Sequence, residues 1–217
     1  MAQLFTIHPT HPQPRLIAKA ADIVRDGGVI AYPTDSSYAL GCQVGNADAV
    51  QRIRRIREVD DKHYFTLVCR DLSEISRYAR VEDHQFRLLK RGTPGGYTFI
   101  LRATREVPRR LQHPKRNVIG IRVPNHPVAL ALLGELDEPL LSSTLILPGE
   151  TEPMHDADTI REALEHSLDA VIDAGHCAGG ATTVIDLAAE PPVLIRMGSG
   201  DLATLGLQGL EKLDLLE

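Results

Sequence analysis

The stretch VIAYPTDSSYALGC, residues 29–42, decides how this chain is expected to fold. Val29-Ile30-Ala31-Tyr32 is a short apolar run rich in β-branched and aromatic side chains. It stands directly behind the breaker pair Gly27-Gly28, and that combination predicts a buried strand. The polar segment Pro33-Thr34-Asp35-Ser36-Ser37 follows at once, and residues 33–42 are assigned to the loop after that strand. Loops at the carboxyl ends of strands are where open α/β sheets hold their ligands. Thr34 and its neighbours therefore offer hydroxyl and amide groups to a small polar ligand. The competing reading is an ordinary turn whose Ser and Asp satisfy local backbone.

Outward from this stretch, helical and extended patterns alternate. Leu16, Ile17, Ala20, Ile23 and Val24 recur at helical spacing, and Gly27-Gly28 stops that helix. Asn46 is placed to cap a helix carrying Val50, Ile53 and Ile56. YFTLVC (64–69) predicts a strand, and Asp71 with Glu74 a box-like helix start in which each carboxylate takes a backbone N–H. The helix of Phe86, Leu88 and Leu89 ends at Gly92. TPGGYTFILRA (93–103) predicts a turn feeding a strand, and VIGIRV (118–123) another strand. A helix begins at Pro127, a favoured first position. LLSSTLIL (140–147) predicts a strand, TIREALEHS (159–167) a helix, and AVIDAG, TTVIDL and VLIRM three strands. Helices threaded among β-rich runs imply an α/β fold with helices on the faces of a sheet. The last strands follow one another without helices, so the sheet is expected to be mixed. No repeat, low-complexity tract or linker divides the chain, and one domain is the economical reading.

Composition sets the outer bounds. The 217 residues are 43% hydrophobic, enough for a core. No apolar run is long enough to span a membrane, and the N-terminus lacks a signal-peptide pattern, so a cytoplasmic location is expected. Cys42, Cys69 and Cys177 are odd in number, far apart and set in apolar stretches. They predict free buried thiols and neither a disulfide framework nor a zinc site. The net charge of −5 is unevenly spread. Residues 1–122 hold 21 of the 24 Lys and Arg against 12 acids, and residues 123–217 hold 3 against 17. Such asymmetry suggests a basic surface facing an anion, against the plainer reading of solvated charges on one folded body.

Two groups of cations stand out. Arg52, Arg54, Arg55 and Arg57 crowd one helix end, with Lys62 and His63 just beyond. A helix C-terminus favours cations anyway, but four guanidiniums repel one another and suit a polyphosphate, which they grip in bidentate fashion. Arg102, Arg105, Arg109, Arg110, Lys115 and Arg116 form a second basic stretch, open to an RNA backbone or to solvent alone. Arg122 and Arg196 lie inside apolar strands, where each needs a carboxylate or a bound anion. Neither common phosphate loop is present, nor a nucleophile elbow or HExxH. The histidines, including His126 and His176, are scattered and predicted to be structural.

Several of these segments resemble one family. YPTDSSYALGC is similar to the strand-plus-loop signature of YrdC-like proteins, in which a Pro-Thr-acid-Thr/Ser segment lines the active cavity. RIREVDDKHYFTLV resembles the family's Lys-x-Arg segment and TPGGYTFIL its Pro-Gly-x-x-Thr turn. IGIRVPNHP resembles its Arg-x-Pro-x-His-Pro segment, and TTVIDL with VLIRMGSG its final strands. The resemblance implies a twisted open mixed α/β sheet with a large basic concavity, as a single domain over residues 1–207 with a short tail, 208–217. It also implies a threonylcarbamoyl-AMP synthase, joining ATP, L-threonine and bicarbonate with release of pyrophosphate, the product feeding tRNA adenosine modification. By position, Thr34 and Thr183 would meet threonine, Arg122 its carboxylate or a phosphate. Arg55 and Arg57 would meet ATP phosphates, Arg196 ATP, Lys62, Ser143 and Thr144 the nucleotide, and Thr98 would line the cavity. Arg55, Arg57 and Thr144 would carry the chemistry. Mg²⁺ is expected with ATP, with no resident metal and no prosthetic group.

The departures from the family pattern matter as much. Synthases carry Lys-x-Arg and, on a later strand, Ser-x-Asn, whereas this chain has Arg55-Ile56-Arg57 and Thr144-Leu145-Ile146. Ile146 removes a polar group that nothing at that position replaces. These changes, with FTIHPTHPQPR (5–15) and DLSEIS (71–76), resemble the YciO subgroup. Three functions follow: the synthase or a weakened form of it, a double-stranded RNA or tRNA binder without turnover, or a related nucleotidyltransferase with another acceptor.

Overall fold

The computed structural model describes residues 1–60, 63–177 and 179–210. The chain opens with strand β1 (Gln3–Thr6) and helix α1 (Pro14–Arg25), then the hairpin β2 (Ile30–Pro33) and β3 (Tyr38–Gln43). Helix α2 (Ala47–Arg57), β4 (Thr66–Val68), α3 (Leu72–Tyr78), β5 (Ala79–Arg80), α4 (Asp83–Gly92) and β6 (Tyr97–Ala103) follow. Next come β7 (Val118–Arg122), α5 (Pro127–Leu136), β8 (Leu140–Thr144) and α6 (Ala157–Leu164). The chain then runs through β9 (Ala170–Asp173), β10 (Thr183–Asp186), β11 (Val193–Arg196) and the short α7 (Leu202–Leu205). Residues 211–217 of the expected tail lie outside the described residues, while Leu210 still packs against the core.

Local chemistry explains the starts of α2 and α3. The Asn46 side chain accepts the N–H of Ala49 at 3.0 Å and caps α2. Asp71 accepts the N–H of Glu74 at 2.9 Å. The Glu74 carboxylate reaches back to the N–H of Arg70 at 2.6 Å, one residue before the cap. Residues 38–42, expected as loop, belong to strand β3; the strand expected over 140–147 ends at Thr144; and β1 and β5 match no sequence expectation.

The eleven strands among the described residues form one mixed sheet in the order β1-β9-β2-β3-β8-β4-β7-β6-β10-β11, with β5 attached to β6. β1 and β2 flank β9 in parallel, β4 runs parallel to β7, and β10 parallel to β6. The remaining pairs are antiparallel. Side chains alternate across each strand, so the two faces can be read by residue parity. One face buries Leu67, Phe99, Ile121, Leu141 and Ile185 in a core with Val50 and Ile53 of α2, Ile75 of α3 and Leu89 of α4. The other face carries Tyr32, Ala39, Val68 and Leu140, which pack with Ile17 and Val24 of α1 and Val128 and Leu132 of α5. Helices α1 and α5 thus cover only part of that second face. The uncovered part holds the candidate site.

Candidate active site

The uncovered sheet face is the floor of a cavity of about 740 Å³. Paired positions across the strands build it: Ser142 opposite Thr66, Thr66 opposite Gly120, Gly120 opposite Ile100, and Thr98 opposite Val184. Gly120 leaves the floor open where a side chain would press on Thr66 and Thr98. Of the residues expected at the site, Thr34, Arg57, Thr98, Arg122, Ser143, Thr144 and Arg196 line this one cavity.

Three expected residues are not among these. Lys62 lies outside the described residues. Arg55 borders a separate depression with Gln51 and Val59, and its Nε donates to the carbonyl of Gln51 at 3.3 Å. Two residues along a helix turn the side chain by about 200°, so Arg55 and Arg57 leave α2 on different sides. Thr183 is fully buried beneath the wall. Its hydroxyl donates to the carbonyl of Gly200 at 2.6 Å and accepts the N–H of Gly198 at 3.0 Å. It fastens the 198–200 turn and does not face the cavity. Thr34 does line the cavity, yet its hydroxyl is spent on its own loop. It donates to the carbonyl of Ser37 at 2.7 Å and accepts the N–H groups of Ser36 and Ser37.

The cations are arranged in three groups. Arg122, only 8% exposed, pairs through Nη2 with Asp35 at 2.6 Å and donates from Nη1 to Ser36 Oγ at 3.1 Å. Its buried Nε–H has no partner among the described residues. Arg57 donates from Nη1 to Ser143 Oγ at 2.6 Å, and its Nε–H is likewise buried without a partner. His63 Nε2 stands 2.9 Å from Ser143 Oγ and 3.1 Å from Arg57. Accepting there places the ring's proton on Nδ1. Arg196 donates to the carbonyl of Thr182 at 3.2 and 3.1 Å and to its hydroxyl, which in turn meets Thr98 Oγ1 at 2.9 Å. Near the mouth, Arg116 pairs with the buried Asp186 at 2.6 Å.

Among the described residues, charge does not balance in this cavity. Four guanidiniums, Arg57, Arg116, Arg122 and Arg196, meet only the carboxylates Asp35 and Asp186 among the described residues. Burial lowers the pKa of Arg57, and burial with the nearby charge of Arg122 lowers that of Arg196. Both stay charged, as arginines do. Two unneutralised guanidiniums and two orphaned Nε–H donors make a site that an anion completes.

Sequence reasoning missed His63 and the Arg116–Asp186 pair as site residues. His63 followed the arginine cluster in sequence, which was the available signal. Asp186 lies too far along the chain for any local pattern to join it to Arg116. The His63 pKa is pushed down to about 4, first by burial and then by the charges of Arg57 and Arg54. The unfolded chain, with His63 near 6.5, therefore takes up the proton first. This contribution to stability is present above about 6.5 and lost as pH falls towards 4. His126 acts in the same sense and Glu74, raised by burial, in the opposite one. Urea midpoints at pH 7 and 5 should fall further apart in the parent than in His63→Gln, and equal gaps would refute the assignment.

The placement of the arginines makes a second test. Arg57→Ala should weaken binding of inorganic tripolyphosphate about 10- to 150-fold, in line with loss of a charge-assisted hydrogen bond. Arg55→Ala should leave it unchanged. Calorimetric titration of both variants checks this, and equal losses would restore Arg55 to the site.

Fold and site together define an α/β protein whose open sheet face is the floor of a cavity lined by four arginines. A family model described as Telomere recombination, covering Sua5, YciO and YrdC proteins, matches residues 22–198, and the chain belongs to that family. The uncharacterized protein YciO of Escherichia coli (strain K12) is 54% identical over 202 residues, 93% of this chain and 98% of that protein. A threonylcarbamoyl-AMP synthase of Halorhodospira halophila is 30% identical over 76% of this chain and 85% of its own length. Among solved structures, Escherichia coli YciO superposes with a TM-score of 0.90 at 53% identity, covering 94% of this chain and 100% of that one. Pyrococcus abyssi Sua5 complexed with L-threonine gives 0.88 at 25% identity, covering 96% of this chain and 62% of that one. No helix among the described residues is long and apolar enough to cross a membrane.

Proposed function

We propose that this protein is a threonylcarbamoyl-AMP synthase of reduced rate. The carrying observation is the pair Arg57 and Arg196, without a carboxylate partner among the described residues, in one cavity with Arg122, whose Nε–H likewise lacks an acceptor there. In the proposed reaction, threonine and bicarbonate give the threonine carbamate and water. A carbamate oxygen then bonds to the α-phosphorus of ATP, and the bond from that phosphorus to the bridging oxygen breaks. Pyrophosphate leaves with the electron pair, and threonylcarbamoyl-AMP remains. Negative charge grows on the leaving group, so fixed guanidiniums are the useful catalysts and no protein nucleophile is needed. Arg57 and Arg196 hold the phosphates, and Arg122 holds the threonine carboxylate or a phosphate. Ser143, oriented by Arg57 and His63, faces the nucleotide.

Magnesium fits this site as part of the substrate. Asp35 and Asp186 are committed to arginines, and the described residues hold no cluster of three or more His, Cys, Asp or Glu suited to a metal. Mg²⁺ on nucleotide phosphates commonly keeps several waters and few protein ligands.

Incubation with ATP, L-threonine and labelled bicarbonate should yield a labelled adenylate dependent on all three. Its absence while ATP still binds would transfer the site to a related nucleotidyltransferase with another acceptor. A second reading, RNA binding, is supported by Arg102, Arg105, Arg109 and Arg110, all exposed outside the cavity. Weak binding of double-stranded RNA or tRNA without sequence preference, with a steep salt slope, is its expected result. Tight, salt-insensitive binding to one sequence would contradict it.

A further inference from the structure

Tyr64 and His113 stack at the cavity mouth, their ring centroids 5.3 Å apart and their planes within 9° of parallel. Both line the cavity, yet Tyr64 is 63% exposed, which leaves much of a flat aromatic side chain in water. The stack is held in place from the His113 side. His113 Nδ1 accepts the backbone N–H groups of Lys115 and Arg116, each at 3.2 Å. Arg116 is in turn tied to Asp186 at 2.6 Å. Leu111, Val118 and Ile119 form an apolar wall in the same cavity. The cavity therefore has two chemistries: guanidiniums that want negative charge, and a lip with a preorganised aromatic surface.

We propose that the Tyr64–His113 stack seats a flat heteroaromatic ring carried by the anion, which in a nucleotide is the base. This inference rests on the nucleotide reading given above and goes further, by naming the residues that distinguish a nucleotide from a bare polyphosphate. A third ring laid on the stack covers the exposed Tyr64 face, and the offset, parallel arrangement of the first two rings suits such an extension. Stacking on an aromatic side chain tolerates any base, so affinity is gained here with little choice among bases.

Calorimetric titration of the parent, Tyr64→Ala and Tyr64→Phe with ATP and with inorganic tripolyphosphate tests it. The parent should bind ATP more tightly than tripolyphosphate. Tyr64→Ala should weaken ATP binding about 5- to 150-fold, the range of one base–aromatic stack, and leave tripolyphosphate unchanged. Tyr64→Phe should keep the ATP affinity. The chain has no Trp, so its emission comes from its five Tyr. ATP should quench part of that emission in the parent and less in Tyr64→Phe. Undiminished ATP binding by Tyr64→Ala overturns the inference alone, as does equal binding of the two ligands by the parent. Failure of the parent to bind either ligand removes the nucleotide reading itself, and the inference with it.

Discussion

Arg122→Ala is expected to weaken ATP binding about 100-fold or more and to lower the unfolding free energy by about 3 kcal/mol. The two losses have separate causes. Binding falls because the cavity loses a buried guanidinium whose Nε–H has no acceptor among the described residues. Stability falls because Asp35, whose side chain is only 16% exposed, loses the cation that holds it at 2.6 Å. A buried carboxylate without its partner is costly, whereas removal of both partners is much milder. The double variant Asp35→Ala with Arg122→Ala should therefore recover most of the stability and none of the binding. Urea unfolding and ATP titration of the single and double variants separate the two. Full ATP affinity in Arg122→Ala would take this residue out of the ligand site. A double variant as unstable as the single one would assign the loss to the bond with Ser36.

Arg122 also shows how far the sequence reached. A cation inside IGIRVP demanded a partner, and that demand was visible without coordinates. Which partner it would be was not visible, because Asp35 lies 87 residues away. The same limit hid Asp186 from Arg116. Charge asymmetry between the two halves was a better guide, since three of the four cavity arginines come from residues before 123. The polar run at 33–37 was placed correctly at the end of a buried strand. The strand after it was lost, because Tyr38–Cys42 is buried on both faces and shows no alternation. Gly41 within it serves packing: a Cβ there would stand 2.9 Å from Tyr32. The short β1 was lost for another reason. Four residues of mixed exposure at a chain start carry too little pattern to be read. Helices fared better, since caps such as Asn46 and Asp71 act within a few residues of themselves.

Ile146→Asn is expected to raise threonylcarbamoyl-AMP formation about 10-fold or more above the parent, by comparison with the 100- to 1000-fold commonly lost when one preorganised donor is removed. The premise is geometric. Strand β8 ends at Thr144, and the N–H of Ile146 turns back to the Thr144 carbonyl at 3.1 Å. Alternation nevertheless continues past the strand end. Leu145 is fully buried, its N–H bonded to the Tyr38 carbonyl and its carbonyl to the N–H of Met154. Thr144 and Ile146, on either side of it, both line the cavity. Ile146 thus presents an apolar wall beside Ser143 and Thr144, at the position where synthases of this family carry an amide. Asparagine there restores a donor and an acceptor in less volume, and the half-buried isoleucine gives up only about 1 kcal/mol of apolar burial. Arg55→Lys, the other departure from the synthase pattern, is expected to add nothing, because Arg55 lies outside the cavity. Rates of adenylate formation for the parent, Ile146→Asn and the double variant decide the matter. No gain in Ile146→Asn, with ATP binding intact, would mean that the missing amide does not limit the rate and that a different acceptor is the better explanation. A gain that appears only when Arg55→Lys is added would bring that helix face back into the chemistry.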